Sequence, residues 1–158
     1  MRRKDRLVTD KKEILNILEN NDVCRVAIKD KEGLYIVPLN YGFEFINDKL
    51  TLYFHGAKEG RKAAAFKDEN KEVAFEIDEK IKMEGDGNIA CTYTYYYKSI
   101  VGNGFASIVG IDEERKRALR LIMFNITKRD DFKYDNHSLS NTLIMKVEAT
   151  VFTVKIHK

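Results

Sequence analysis

The stretch from Leu50 to Lys62, LTLYFHGAKEGRK, constrains the fold most, because it commits the chain to a strand and then, within a few residues, to a helix. Leu50, Leu52 and Phe54 alternate with Thr51, Tyr53 and His55. Successive side chains on a strand point to opposite faces, so the apolar set lines one face of a sheet and the polar-tipped set the other. His55 falls at the strand's end, facing away from the apolar row. Gly56 lets the backbone turn, and Lys58, Arg61 and Lys62, at i, i+3 and i+4, share one face of the helix expected next. A helix start, with its free N–H groups and partial positive charge, suits a phosphate dianion when cations flank it. The same spacing also fits a solvated basic face on a short surface helix.

The rest of the chain supplies a sheet around this element. Asp10 followed by Glu13 resembles a capping box, and Ile14, Leu15, Ile17 and Leu18 give the following helix an apolar face as far as Asn20-Asn21. Val23 to Lys29 reads as a strand, Asp30-Lys31-Glu32-Gly33 as a hairpin loop and Leu34 to Phe45 as the return strand. Pro38 cannot donate to a ladder and marks an edge, a bulge or a place where that strand opens. Asn47-Asp48 makes the next turn, and after Leu50–His55 the helix runs to Phe66, with Ala63, Ala64 and Ala65 giving a thin apolar side. Lys67 to Lys71 is a polar loop.

Val73, Phe75 and Ile77 alternate with Ala74, Glu76 and Asp78 in another half-buried strand. The pattern weakens from Glu79 to Asn88, where Gly85-Asp86-Gly87-Asn88 predicts a loop. Thr92–Val101 and Phe105–Ile111 have strand composition, and the glycines of Gly102-Asn103-Gly104 between them predict a bulge or a close backbone approach. Asp112, Glu113 and Glu114 open a second long helix that buries Ala118, Leu119, Leu121, Ile122 and Met123. Asn125 to Ser140 is polar connection. In the last strand, Thr142–Ile156, the apolar parity changes, which predicts a bulge near Val151-Phe152. These elements amount to about six strands, mostly antiparallel, with flanking helices: a mainly β fold, a small closed or split barrel, in one domain spanning 1–158.

Composition removes several function classes. With 158 residues, 44% hydrophobic and 34% charged, the chain has the makeup of a globular domain with its own core. No apolar run approaches the ~20 residues of a membrane helix, and the basic start leads into Lys11-Lys12-Glu13, not into a signal peptide's apolar region, so the expected compartment is the cytoplasm. The net charge of +3 comes from interleaved acids and bases, which gives little support for nucleic-acid binding. The basic cluster Arg2, Arg3, Lys4, Arg6 reads as an N-terminal arm. Cys24 and Cys91 make no metal-site pattern and read as ordinary thiols. Tyr93, Tyr95, Tyr96 and Tyr97 read as core or subunit interface, and Gly102-x-Gly104 lacks the helix a dinucleotide fingerprint needs.

Three segments, in order, carry a resemblance: Tyr35-Ile36-Val37-Pro38-Leu39-Asn40-Tyr41-Gly42, the His55–Lys62 segment, and Tyr97-Lys98-Ser99-Ile100-Val101-Gly102-Asn103-Gly104. With the Met1–Arg6 opening they resemble the FMN-binding split-barrel proteins of the pyridoxamine 5'-phosphate oxidase-like family, nearest to its nitroimidazole-reductase-like branch. The resemblance implies a six-stranded split β-barrel that binds FMN at a two-fold homodimer interface and passes electrons to a small organic acceptor such as a nitro-aromatic compound. It implies flavin contact by Val37, Pro38, Leu39 and Asn40, a catalytic place for His55 beside the isoalloxazine ring, and phosphate contact by Lys58, Arg61 and Lys62. Ser99, Val101 and Gly102 are implied as cofactor-binding contributions at the interface. The C-terminal Val154-Lys155-Ile156-His157-Lys158 has no counterpart of the arginine-bearing substrate motif of the true pyridoxamine phosphate oxidases. A non-catalytic flavin or haem carrier is the rival class, with His55, His137 and His157 as the histidines for an axial ligand.

Overall fold

The computed structural model describes residues 3–67 and 71–158. After a 3₁₀ turn at Lys4–Arg6 come strand β1 (Leu7–Val8), helix α1 (Lys11–Asn20), strands β2 (Val23–Asp30), β3 (Gly33–Ile46) and β4 (Lys49–Gly56), and helix α2 (Arg61–Lys67). Strands β5 (Lys71–Asp86) and β6 (Ile89–Ile108), helices α3 (Asp112–Thr127) and α4 (Asn136–Asn141) and strand β7 (Leu143–His157) complete the chain. Arg2 of the basic arm, and residues 68–70 of the polar loop, lie outside the described residues.

Local chemistry accounts for the boundaries. Asp10 caps α1, its carboxylate accepting from the Lys12 N–H at 2.9 Å. Asp30 accepts from the Glu32 N–H at 2.8 Å, and Gly33 takes φ 112°, so the β2–β3 turn is made by an acceptor side chain and a residue without Cβ.

All seven strands pair antiparallel, in the order β1-β7-β4-β3-β2-β5-β6. Strand β7 also pairs with β6, so six strands close into a ring, and the short β1 extends β7 beyond it through Leu7–Lys155 and Val8–Val154. The expected six-stranded split barrel is thus the observed architecture. The inward row predicted for β4, Leu50, Leu52 and Phe54, is fully buried together with Val26, Ile28, Val73, Phe75, Ile77 and Ile100. Helix α1 adds Ile17 and Leu18, and α2 adds Phe66, which meets Phe54 edge-on at 6.3 Å. No helix among the described residues is long and apolar enough to cross a membrane.

The outer face of β3 and β4 is covered by α3, where Tyr53, Val109, Ala118, Ile122 and Ile144 form a second buried cluster. Gly42 makes this contact possible. A Cβ there would stand 2.4 Å from the Ile122 nitrogen and 2.5 Å from the Leu121 carbonyl carbon, so helix backbone rests directly on strand backbone. Asn125, buried near the end of α3, donates to the carbonyls of Asn21 at 3.0 Å and Tyr41 at 3.1 Å.

Three local expectations change. The region 79–88 is no loop: β5 and β6 continue past the ring as a two-stranded ribbon, turning at Gly87-Asn88. Beyond the Tyr97–His157 pair β7 no longer accompanies it, so neither ribbon face is buried and no alternation is demanded of the sequence. The parity change in β7 marks a bulge at Thr150, one residue before the expected place, since Asn103 pairs with Val151 and Gly104 with Ala149. Within 125–140, Asp135 accepts from the Ser138 N–H at 2.8 Å and starts α4.

Because Gly42 touches main chain that cannot rotate away, Gly42→Ala should destabilise the protein by about 1–3 kcal/mol, lowering its Tm by roughly 3–10 °C. Gly110, whose surroundings are open, is the control, and Gly110→Ala should leave the melting curve in place. Indistinguishable melting curves for the two variants would contradict the close helix–strand contact.

Candidate functional site

Strand β3 has two different halves. From Gly33 to Asn40 it pairs with β2, and from Tyr41 to Ile46 it pairs with β4, so its first half has no partner on the β4 side. Pro38 lies in that half, still opposite Arg25, which makes it an edge proline and not a break in the ladder. Continuing the β3–β4 register one step past Tyr41–Phe54 sets Asn40 across from His55. These are the first residues on either side of the split.

Period-2 geometry sorts the side chains there. Leu39 is buried and Val37 half-buried on the barrel side. Leu34, Ile36, Pro38 and Asn40 point outward, with Leu34 83% and Ile36 65% exposed. The Asn40 amide donates to the Asp22 carbonyl at 2.9 Å. The result is an apolar outer strip beside an unpaired backbone edge, which gives a planar heterocycle both a surface to lie on and a row of main-chain groups to meet.

At the end of β4, Gly56 again stands where a side chain would collide: its Cβ would lie 2.3 Å from the Lys62 Nζ. The Lys62 ammonium therefore folds back over the strand end toward His55. Burial first, and the Lys62 charge second, hold the His55 imidazole below its usual pKa, so it is neutral at pH 7.

The three cations do not share one helix face. Gly60 takes φ 93° and α2 begins only at Arg61, which leaves Lys58 exposed in the preceding bend. Arg61 turns the other way, toward the β2–β3 turn, where its Nε and Nη2 donate to Asp30 at 2.7 and 2.9 Å. That hydrogen-bonded pair holds the Asp30 carboxyl below the usual carboxylate range. The guanidinium also lies over Tyr35, 4.6 Å from the ring centre. Among the described residues, neither Lys58 nor Lys62 makes an ion pair, so Lys62 is the cation that the split presents to an anion.

Ser99, Val101 and Gly102 lie elsewhere on the barrel. They line a depression of about 380 Å³ on β6 and β7, with Tyr97, Val151 and Phe152. Around the ring, β7 separates β6 from β4 on one side, and β5 and β2 separate it from β3 on the other. One chain therefore brings Val37–Asn40, His55 and Lys62 together and leaves Ser99, Val101 and Gly102 apart from them. Three residues of the site region were not singled out as site residues from sequence: Asp30 and Tyr35, whose link to Arg61 spans the fold, and Gly56, whose part is the space it leaves for Lys62. For Gly56 the signal was present in the glycine directly after the strand.

The comparisons with known proteins agree with this architecture. A family model described as pyridoxamine 5'-phosphate oxidase matches residues 10–156. A candidate 5-nitroimidazole antibiotic resistance protein from Bacteroides thetaiotaomicron superposes with a TM-score of 0.77 at 32% identity, over 95% of this chain and 86% of that one. The FAD and heme binding protein from Mycobacterium smegmatis gives 0.80 at 14% identity, over 97% and 74%. The flavocytochrome Anf3 from Azotobacter vinelandii gives 0.79 at 12% identity, over 100% and 72%. No curated protein sequence matches at a significant level. On the match of residues 10–156 and the 32% identity across almost the whole chain, the protein belongs to the pyridoxamine 5'-phosphate oxidase family, on its nitroimidazole-resistance-protein-like branch.

Proposed function

We propose that the protein binds FMN at the β3–β4 split and acts as an oxidoreductase toward a small organic acceptor of the nitro-aromatic kind. The observation that carries this reading is the unpaired first half of β3, with its apolar outer strip, set against His55, Gly56 and Lys62 in a member of this family. The 32% identical neighbour, a candidate nitroimidazole resistance protein, supports the acceptor class. FMN, when bound, supplies the electron transfer at its isoalloxazine ring.

The chain's own groups divide the remaining work. The Val37–Asn40 edge holds the polar rim of the ring by main-chain hydrogen bonds, and Ile36 and Pro38 give it an apolar surface. Lys62 neutralises the phosphate, with Arg61 and Lys58 flanking it. His55 stands at the ring as a neutral imidazole and donates one N–H to the acceptor being reduced. Ser99, Val101 and Gly102 serve the site of a second copy. The exposed Val101, Phe105 and Val151 form the apolar face that such a homodimer would cover.

Three measurements test these assignments. Mass analysis of the cofactor released from purified protein should identify FMN, and a Soret band or an empty, stably folded protein would remove the flavin reading. Lys62→Met should weaken FMN binding about tenfold or more relative to Lys116→Ala, the scale of one lost charge-assisted bond. The same variant should raise the His55 pKa toward 6.5, because it deletes the cation that depresses it; an unmoved histidine titration by NMR would refute the Lys62–His55 coupling.

His55→Ala should retain FMN yet reduce a nitro-aromatic acceptor about 10²-fold more slowly, the scale of one lost hydrogen-bond donor to developing charge. The wild-type His55 contribution should stay level from pH 7 to 8 and change only below about 6.5, since the depressed pKa leaves the ring neutral above that point. Turnover unaffected by the substitution would confine His55 to packing. For the shared site, dilution that dissociates the dimer should release flavin in parallel, and a monomer that retains stoichiometric FMN in sedimentation would exclude it.

A further inference from the structure

The Arg61 guanidinium is held before any ligand arrives. Nε and Nη2 donate to the two carboxylate oxygens of Asp30 at 2.7 and 2.9 Å, the Glu32 carboxylate lies 3.9 Å from Nε, and the flat face rests on Tyr35. Asp30 is itself fixed, because its Oδ1 accepts from the Glu32 N–H at 2.8 Å and its side chain is only 14% exposed. One edge of the guanidinium fork, Nε with Nη2, and one face are thereby used. Among the described residues, the remaining amino group, Nη1, has no hydrogen-bond partner. Arg61 also joins two places that β3–β4 pairing does not connect: the tip of the β2–β3 hairpin and the start of α2, on either side of the open half of β3.

We infer that Asp30 is a positioning residue for flavin phosphate: it aims Arg61 so that the unused Nη1 edge meets the phosphate, with Tyr35 as the platform that keeps the fork flat. This rests on the flavin reading of the split given above. A long arginine side chain bound only at its ligand end loses its rotamer freedom on binding, whereas one already locked on Asp30 and Tyr35 has lost it beforehand. Two parallel hydrogen bonds to one carboxylate also fix the plane of the fork, which a single contact does not.

Riboflavin, which differs from FMN in lacking the phosphate, separates this role from a scaffold role. Binding of FMN and of riboflavin to the full chain is titrated by flavin fluorescence for wild type, Asp30→Ala, Arg61→Ala and the double variant. Asp30→Ala should lower the FMN-over-riboflavin affinity ratio about tenfold, the scale of one bond to a charged group, with riboflavin affinity held within about twofold. Arg61→Ala should do the same, and the double variant should lose no more than Arg61→Ala alone.

If Asp30→Ala fails to fold, Asp30→Asn, which keeps one acceptor oxygen, should give a smaller loss of the same ratio. Tighter FMN binding in Asp30→Ala would make Asp30 a competitor of the phosphate, and an equal fall for both flavins would make the pair a fold clasp. Additive losses in the double variant would uncouple the two residues. Any of these overturns the inference while leaving the flavin reading standing. A wild-type protein that binds neither flavin removes both.

Discussion

The barrel depends on one strand being able to pair along both of its edges. Strand β7 gives its first half to β4 and nearly its whole length to β6, and only that double engagement turns an open sheet into a ring. The Thr150 bulge is where β7 bends from following β4 to receiving β1. Across from it, Gly104 brings backbone against backbone, its Cβ position only 2.4 Å from the Glu148 carbonyl oxygen. With closure achieved there, the β3–β4 seam, one strand away on the other side of β7, is left incomplete. Strand β4 meets β3 from Tyr41 onward and goes no further, so the unpaired edge belongs to the architecture and not to a local defect.

The charged groups near that edge are deployed separately. Lys62 lies back over Gly56 and acts on His55 through space, while Arg61 is drawn sideways to Asp30 and Tyr35. Two cations adjacent in sequence therefore have different local fields: one is beside an imidazole whose protonated form it disfavours, in addition to burial, and the other is paired with a carboxylate. The neutral state of His55 follows from this arrangement and from its partial burial, not from any carboxylate partner.

Much of this was legible wherever one face of an element is buried and the other is not. The β4 alternation, the α1 cap, the 30–33 hairpin and the edge character of Pro38 all follow from local rules, because a side chain's direction there decides whether it meets water. The β5–β6 ribbon is harder to read: Lys80, Lys82 and Glu84 do alternate with Ile81 and Met83, but both faces are solvated, with Ile81 and Met83 exposed, and the turn residues Gly85-Asp86-Gly87-Asn88 outweigh so short an alternation. The start of α2 is set not by charge spacing but by Gly60, whose φ of 93° ends the bend. The Asp30–Arg61 pair joins residues separated by a hairpin, two strands and a turn, and nothing local encodes such a partnership.

Asn125 has a further consequence for α3. The apolar cluster beneath this helix would tolerate small slides along its axis, since methyl and methylene groups exchange neighbours with little penalty. Its amide does not tolerate them: two carbonyls, from the loop after α1 and from β3, are satisfied only at one axial setting. A shift by one helical turn would part the buried amide from the Tyr41 carbonyl and from the half-buried Asn21 carbonyl, a larger loss than the apolar contacts could restore. The amide thus works as an indexing pin, selecting a single longitudinal position of the helix from a set that hydrophobic contact alone would leave nearly degenerate.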